Sequence, residues 1–422
     1  MMTSIISREL IKPASPTPFH LRDYNLSPLD QLAPEMNVPV VFFYPDIGNC
    51  TLEKTMVLKK SLSQSLTQYY PCAGRLHSPK SASVNCNDKG VLFVEAKNEA
   101  QMDTFHDSEN IDTLYQLFPD DLVYSNCSSL VGVQLNHFAC GGIGLAVSMS
   151  HLIGDGHTLG SFVSHWASVA RYGSLDHKEV LPFNPHFIHT QLTNSMRPEY
   201  KVINQKCVNP VTKKFLFPNS KLSDLRNKVI SSVKNPTRVE VLSSLLYKTA
   251  MAAATQKSGS LKPSYLYFPV DIRNKFIQKF SQTSMGNFVS VMIISTMNTS
   301  ETSLDMLVSE IRKKRLLLER FQSVQQAAEN RIEILLSKLG DAESAKTSYW
   351  CLSLCGFPSN HVDFGWGKPM DTTSALKEAN MSGFLLTDAP YGAGIEALVI
   401  LEKEIMAIFE NDKEMLSFCQ IN

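Results

Sequence analysis

The amino-acid sequence predicts an α+β protein whose strands and helices alternate irregularly rather than as a regular βαβ repeat. Two patterns carry that expectation. Apolar, β-branched or aromatic runs of strand length lie at Val38 to Tyr44, Val131 to Leu135 and Ile143 to Ser150. Helical spacing of apolar residues recurs beside them, as at Leu58, Leu62, Leu66 and Tyr69. A third observation is size. At 422 residues, 43% of them hydrophobic, the chain holds core for two or three domains.

Taken in order, Leu26-Ser27-Pro28-Leu29-Asp30 opens the fold after a lead carrying Pro13, Pro16 and Pro18. Val38 to Tyr44 reads as a buried strand, and the Leu58–Tyr69 helix stops before Pro71, where the residue preceding proline leaves the helical region. Ser83–Cys86 and Val91–Ala96 are strand-like, and Asn87-Asp88-Lys89-Gly90 between them predicts a hairpin. Val131, Val133 and Leu135 alternate as a further strand. Cys140-Gly141-Gly142 turns it into the strand 143–150. Leu159, Phe162, Trp166 and Val169 then mark a helix ending at Gly173. From Leu181 to Tyr200 three prolines make the chain irregular, which predicts a crossover at 181–205 separating domains 1–180 and 206–422. His186 and His189 in it read as loop polarity. Thr237-Arg238-Val239-Glu240 is a capping-box pattern ahead of Leu242, Leu245 and Leu246. Tyr265 to Val270 is a strand leading to Asp271-Ile272-Arg273. Ser303 to Leu339, stopped by Gly340, is one amphipathic helix or a pair.

Composition excludes several classes. Lys plus Arg and Asp plus Glu balance at 40 each, so no global field advertises nucleic acid or an anionic membrane. The N-terminus has no apolar signal region, and no run of 18 apolar residues predicts a membrane span. Nine scattered cysteines without CxxC pairs point to reduced thiols and a cytoplasmic protein.

Chemistry concentrates at Ser150-His151-Leu152-Ile153-Gly154-Asp155-Gly156-His157, where a buried strand gives way to a turn and then a helix. An imidazole there is rigidly mounted yet reachable, and its pKa near neutrality suits a general base. Asp155 could shape the turn. The same pattern fits a hydrogen-bonded structural histidine, and a metal site from His151, Asp155 and His157 finds no second ligand cluster to support it. Asp363-Phe364-Gly365-Trp366-Gly367-Lys368-Pro369 places two glycines around a tryptophan, the pattern of a tight turn, and contains no evident nucleophile.

These two motifs in this order, His151-x-x-x-Asp155 and Asp363-Phe-Gly-Trp-Gly367, resemble those of the BAHD family of plant acyl-CoA-dependent acyltransferases. The alkaloid acetyltransferase branch is the nearest in detail. Ser15-Pro16-Thr17-Pro18, Leu29-Asp30, Tyr70-Pro71-Cys72-Ala73-Gly74-Arg75, Asn85-Cys86-Asn87-Asp88 and Met285-Gly286-Asn287 extend the likeness over essentially the whole chain. The resemblance implies a mixed α/β sandwich of two chloramphenicol acetyltransferase-like domains with a channel at their interface. Acyl-CoA, acetyl-CoA first among the donors, would be the co-substrate, with no permanently bound cofactor and no metal. A small-molecule alcohol such as an alkaloid would be the acceptor, and the protein a monomer. His151 would be the base, Asp155 a loop-orienting residue paired with Arg273, and Asp363, Phe364, Gly365, Trp366 and Gly367 a structural motif near the CoA channel. Another acyl donor (malonyl, benzoyl or hydroxycinnamoyl), an amine acceptor, or a binding protein that no longer acylates are the alternatives. Peptide-synthetase condensation domains share the fold but carry His-His-x-x-x-Asp-Gly, where this chain has Ser150.

One departure stands out. Where the family carries Thr-Ser-Trp upstream of its second motif, ungapped matching gives Leu352-Ser353-Leu354. A four-residue insertion would instead align Thr347-Ser348-Tyr349-Trp350. Both alignments are open at the level of sequence.

Overall fold

The computed structural model describes residues 3–46, 51–78, 81–106, 111–120, 128–174, 207–277, 280–281, 283–296, 302–318, 321–339, 347–357, 362–374 and 382–420. In chain order the strands are β1 (Thr3–Ile11), β2 (Asp23–Asn25), β3 (Asn37–Tyr44), β4 (Arg75–Leu76), β5 (Ser83–Asn85), β6 (Val91–Asn98), β7 (Val131–His137) and β8 (Ile143–Ser150). There follow β9 (Pro210–Pro218), β10 (Ser264–Asp271), β11 (Val289–Thr296), β12 (Thr347–Ser353), β13 (Asp371–Thr373), β14 (Gly383–Asp388) and β15 (Gly394–Glu402). The helices are α1 (Pro28–Gln31), α2 (Thr51–Gln68), α3 (Asp103–His106), α4 (Ile111–Tyr115), α5 (Gly156–Tyr172) and α6 (Asn219–Asn227). The last five are α7 (Arg238–Ser258), α8 (Leu304–Leu317), α9 (Val324–Leu339), α10 (Lys403–Phe409) and α11 (Lys413–Leu416). The expected crossover at 181–205, with His186 and His189, lies outside the described residues.

The chain divides into two compact units that are discontinuous in sequence. The first comprises Met1–Pro198, Phe280–Phe288 and Phe357–Glu378, the second Glu199–Lys279, Val289–Gly356 and Ala379–Asn422. Asp363–Gly367, expected in the C-terminal domain, thus belongs to the first unit. The physical reason is visible within that unit. β13 hydrogen-bonds to β3, with Thr372 opposite Phe42, and the Tyr44 hydroxyl donates to the Val362 carbonyl at 3.0 Å.

The first unit is built on a six-stranded sheet in the order β1-β6-β7-β8-β3-β13, with β6 and β7 parallel and the other pairs antiparallel. Both faces are covered. Phe42, Tyr44, Leu145 and Val147 pack among Leu58, Leu62 and Leu66 of α2 and Phe162 and Trp166 of α5. Val41, Phe43 and Ala146 point the other way, toward Phe105, Leu114 and Leu117. A strand buried on both faces has no polar alternation to display, which is why 38–44 reads as a continuous apolar run. The expected 131–150 hairpin forms, with Leu135 opposite Leu145.

The 83–96 hairpin does not. β5 pairs with β2 and β4 in a separate three-stranded sheet, whereas β6 pairs with β1 and β7. The connecting residues 86–90 form no regular turn: Asp88 has φ +55°, and its carboxylate is engaged by the N–H and hydroxyl of Thr17 at 2.9 and 2.6 Å. Those bonds tie the connection to the N-terminal lead, and the strand leaving it joins the main sheet. β1 carries no periodic signal because it is an edge strand with exposed Ile5, Ile6 and Leu10.

The second unit is a six-stranded sheet ordered β11-β10-β12-β14-β15-β9, parallel across β10-β12-β14 and antiparallel elsewhere. α7 lies on it, with Tyr247 edge-on to Tyr349 at 5.8 Å. The helical stretch 303–339 resolves into the pair α8, ending at Leu317, and α9, beginning at Val324. The capping box at the start of α7 forms as the sequence predicts: Thr237 Oγ1 accepts from Glu240 N–H, and the Glu240 carboxylate accepts from Thr237 N–H. Arg312 adds charge-assisted bonds to the same carboxylate and holds the Glu240 carboxyl below its ordinary value despite burial. Thr237→Ala is expected to cost about 1 kcal/mol and lower the Tm by roughly 2–4 °C, measurable by calorimetry.

Candidate active site

β8 delivers His151 to the end of a fully buried strand, and the chain turns at once into α5. The histidine backbone is fixed by its N–H donating to the Met36 carbonyl at 2.9 Å. Its ring is fixed from a distant part of the chain: Nδ1 lies 2.8 Å from Oδ1 of Asn287.

The geometry around Asn287 determines the tautomer. The amide nitrogen Nδ2 sits 2.9 Å from Asp30 Oδ1 and 2.7 Å from the backbone carbonyl of His151. A carboxylate and a carbonyl are both acceptors, so only the NH2 group can face them. The amide oxygen is left to accept from Nδ1–H of His151. In the neutral ring the proton is therefore on Nδ1, and Nε2 carries the lone pair.

Asp30 anchors the arrangement. Ser27 and Asp30 form a capping box at α1, with Ser27 N–H donating to Oδ2 at 2.9 Å, and the backbone N–H of Asn287 donates to Oδ1 at 2.6 Å. Burial raises the Asp30 carboxyl above its ordinary value, while the hydrogen bonds from Ser27 and Asn287 oppose that rise by favouring the anion. Neither Asp30 nor Asn287 stood out as functional in the sequence beyond its place in the family pattern. Ser27-Pro28-Leu29-Asp30 does match a capping box followed by Pro at the first helical position, so its local structure was legible. Its partner is 257 positions away, and no local pattern announces such a pairing.

Asp155 is an N-cap. Oδ1 accepts from Thr158 N–H at 2.8 Å, and Oδ2 accepts from Phe288 N–H at 3.0 Å. Both bonds hold the turn that carries His151, one to its own helix and one to the 280–288 segment. His157 is turned to a different neighbour, its ring edge-on to Phe357 at 5.5 Å. Among the described residues no group of His, Cys, Asp and Glu is arranged to hold a metal ion.

Arg273 belongs to the second unit. It follows β10 in a short 3-10 turn, is fully buried, and its guanidinium lies 3.2 Å from the Asp271 carboxylate. The neighbouring strand bears on the two alignments left open by the sequence. Thr347 pairs with Ser264 and Trp350 with Tyr267, so Thr347 stands at the start of β10, the end remote from Arg273. Trp350 stacks on Tyr267, with ring centroids 4.9 Å apart. Leu352 follows Trp350 on the same strand.

Asp363–Gly367 forms a closed turn. Asp363 Oδ1 accepts from the N–H groups of Gly365 and Gly367, both at 2.9 Å, and Oδ2 accepts from Arg171 at 2.8 Å. Both glycines have φ above +100°, a region closed to ordinary side chains, so the turn needs glycine at both places. Phe364 inserts edge-on against Trp166 at 5.0 Å and stacks with Trp366 at 5.6 Å. The motif is a packing device of the first unit's core.

A family model described as the transferase family matches residues 1–416. The chain is 34% identical to akuammiline synthase 1 of Alstonia scholaris, over 99% of this chain and 97% of the relative. It is also 34% identical to a 17,18-epoxy-17-hydroxycur-19-ene N-malonyltransferase of Strychnos nux-vomica, over 99% and 90%. The crystal structure of vinorine synthase superposes with a TM-score of 0.82 at 28% identity, covering 99% of this chain and 98% of that one. A TRI101 structure from F. sporotrichioides, complexed with coenzyme A and T-2, shares the fold at a TM-score of 0.69 and 15% identity, over 94% and 99%.

Proposed function

The chain belongs to the BAHD transferase family of acyltransferases, and from that premise we propose that it moves an acyl group, acetyl in the first instance, from coenzyme A to a hydroxyl of a plant specialised metabolite such as an alkaloid. The observation that carries this reading is the His151 ring, held through Nδ1 by Asn287 with its other nitrogen basic.

In the proposed reaction the acceptor oxygen attacks the thioester carbonyl carbon while Nε2 of His151 takes the hydroxyl proton. The tetrahedral oxyanion re-forms its carbonyl, the C–S bond breaks, and the CoA thiolate leaves and recovers the proton from the imidazolium. No acyl-enzyme forms. Juxtaposing the two substrates and supplying a positioned base, worth roughly 10²–10⁴-fold, are the protein's main contributions. Asp155 holds the loop, with Arg273 its proposed counter-charge, and the Asp363–Gly367 turn supports the CoA-binding side of the fold. In the ungapped alignment Leu352 and Leu354 offer no side-chain donor, so backbone or other groups would stabilise the oxyanion. The absence of one such donor typically lowers a rate by about 10²–10³-fold. No helix among the described residues is long and apolar enough to cross a membrane, and we assign the protein to the cytoplasm as a monomer.

A malonyl donor and an amine acceptor form the second reading, favoured by the N-malonyltransferase relative. The test is incubation of pure protein with acetyl-, malonyl-, benzoyl- and hydroxycinnamoyl-CoA against alkaloid and terpenoid alcohols and amines, following free thiol and acylated product. Thiol release that depends on an alcohol, with no acyl adduct on the intact protein, is the expected result. Release that depends only on amines selects the second reading, and acyl-CoA binding without turnover under any pairing would make the protein a non-acylating binder.

A further inference from the structure

Thr158 lies in the first turn of α5, three residues beyond Asp155, and is 1% exposed. Its hydroxyl donates to the carbonyl of Gly286 at 2.8 Å and accepts from the N–H of the same glycine at 3.2 Å. One side chain thus satisfies both backbone groups of one residue. Gly286 has φ +128°, a conformation that glycine adopts readily and other residues do not. On either side of it Asp155 adds its own ties, its N–H to the Gly286 carbonyl at 3.4 Å and its carboxylate from Phe288 N–H at 3.0 Å. Residues 286–288 are therefore bonded through their backbone to the beginning of α5. Asn287, at the centre of that segment, is the residue whose side chain reaches the His151 ring.

We infer that Thr158 is a positioning residue: its hydroxyl sets the 286–288 backbone so that Asn287 holds the His151 ring with the proton on Nδ1. The inference rests on the reading of His151 as the base. Without the hydroxyl, both bonds that Thr158 makes to the buried Gly286 backbone are lost, and the segment relaxes. A shift of a few tenths of an ångström at Asn287 is enough to lengthen a 2.8 Å bond to the ring and let the two tautomers mix. Asp155 and Asp30 still hold the chain in place, so the fold survives while the ring loses its fixed orientation.

The experiment compares Thr158→Val, which keeps the branched shape without the hydroxyl, Thr158→Ala, and Thr158→Ser, which keeps the hydroxyl without the methyl. Long-range proton–nitrogen NMR of 15N-histidine-labelled protein reads the tautomer, with the His151 signals assigned by their loss in His151→Gln. Wild type and Thr158→Ser are expected to show a single Nδ1–H form. Thr158→Val and Thr158→Ala are expected to show mixed tautomers and a kcat lowered about tenfold, with KM for the acyl donor unchanged. A wild-type tautomer pattern in a folded Thr158→Val or Thr158→Ala variant overturns the inference. So does failure of both variants to fold beside a folded Thr158→Ser, since the hydroxyl would then serve the fold and not the ring. If the wild type transfers no acyl group at all, the acyl-transfer reading fails by that result, and the tautomer measurement still decides the role of Thr158.

Discussion

His151→Ala is expected to abolish measurable acyl transfer while leaving a folded protein. The loss should reach at least the roughly 10²–10⁴-fold that a positioned general base contributes. The ring is half-buried and is tied to Asn287 through Nδ1. Asn287 keeps two other anchors, the Asp30 carboxylate and the His151 carbonyl, and the alanine variant retains that carbonyl. Stability should therefore change by no more than about 1 kcal/mol, a Tm shift of roughly 2–4 °C. Free-thiol release from acyl-CoA in the presence of an accepted alcohol, read beside the melting curve, checks both halves. Near-wild-type turnover would remove His151 from the role of base.

Asp155→Ala is expected to lose stability first and activity as a consequence. The carboxylate is 3% exposed and serves two backbone N–H groups. Removing the N-cap of α5 costs about 1 kcal/mol, and leaving the Phe288 N–H buried without its acceptor costs about 1–3 kcal/mol more. The sum of about 2–4 kcal/mol corresponds to a Tm roughly 5–15 °C lower. Because Phe288 adjoins Asn287, the ring of His151 should lose its fixed orientation in the same variant. Asp155→Asn keeps one acceptor oxygen, so it should recover part of the melting temperature. A variant as stable as wild type yet slow would assign Asp155 a direct part in the chemistry and refute the structural role.

The legible features were those set by local chemistry. The capping box at Thr237 and Glu240, the helix of Leu58, Leu62 and Leu66 and the hairpin around Cys140–Gly142 each express a rule confined to a few consecutive residues. The 83–96 segment shows where such rules stop. Its strand partners are chosen by register and burial against elements far away in sequence, and β5 and β6 enter different sheets. Thr347 likewise fitted the family pattern by residue type, and only its pairing with Ser264 shows that it stands at the end of β12 remote from Arg273.

By itself, the sequence determined that His151 follows a buried strand, that Asp155 lies in the turn between that strand and a helix, and that Gly365 and Gly367 bracket a tight turn, because dihedral preference acts over one to four residues. Tertiary structure alone decided that Asp30 and Asn287 hold the imidazole, that Thr158 grips Gly286, and that the Asp363 turn packs into the first unit. Those contacts span from 128 to more than 250 positions, and a hydrogen bond across such a distance depends on how whole elements stack, which no local pattern of residues encodes.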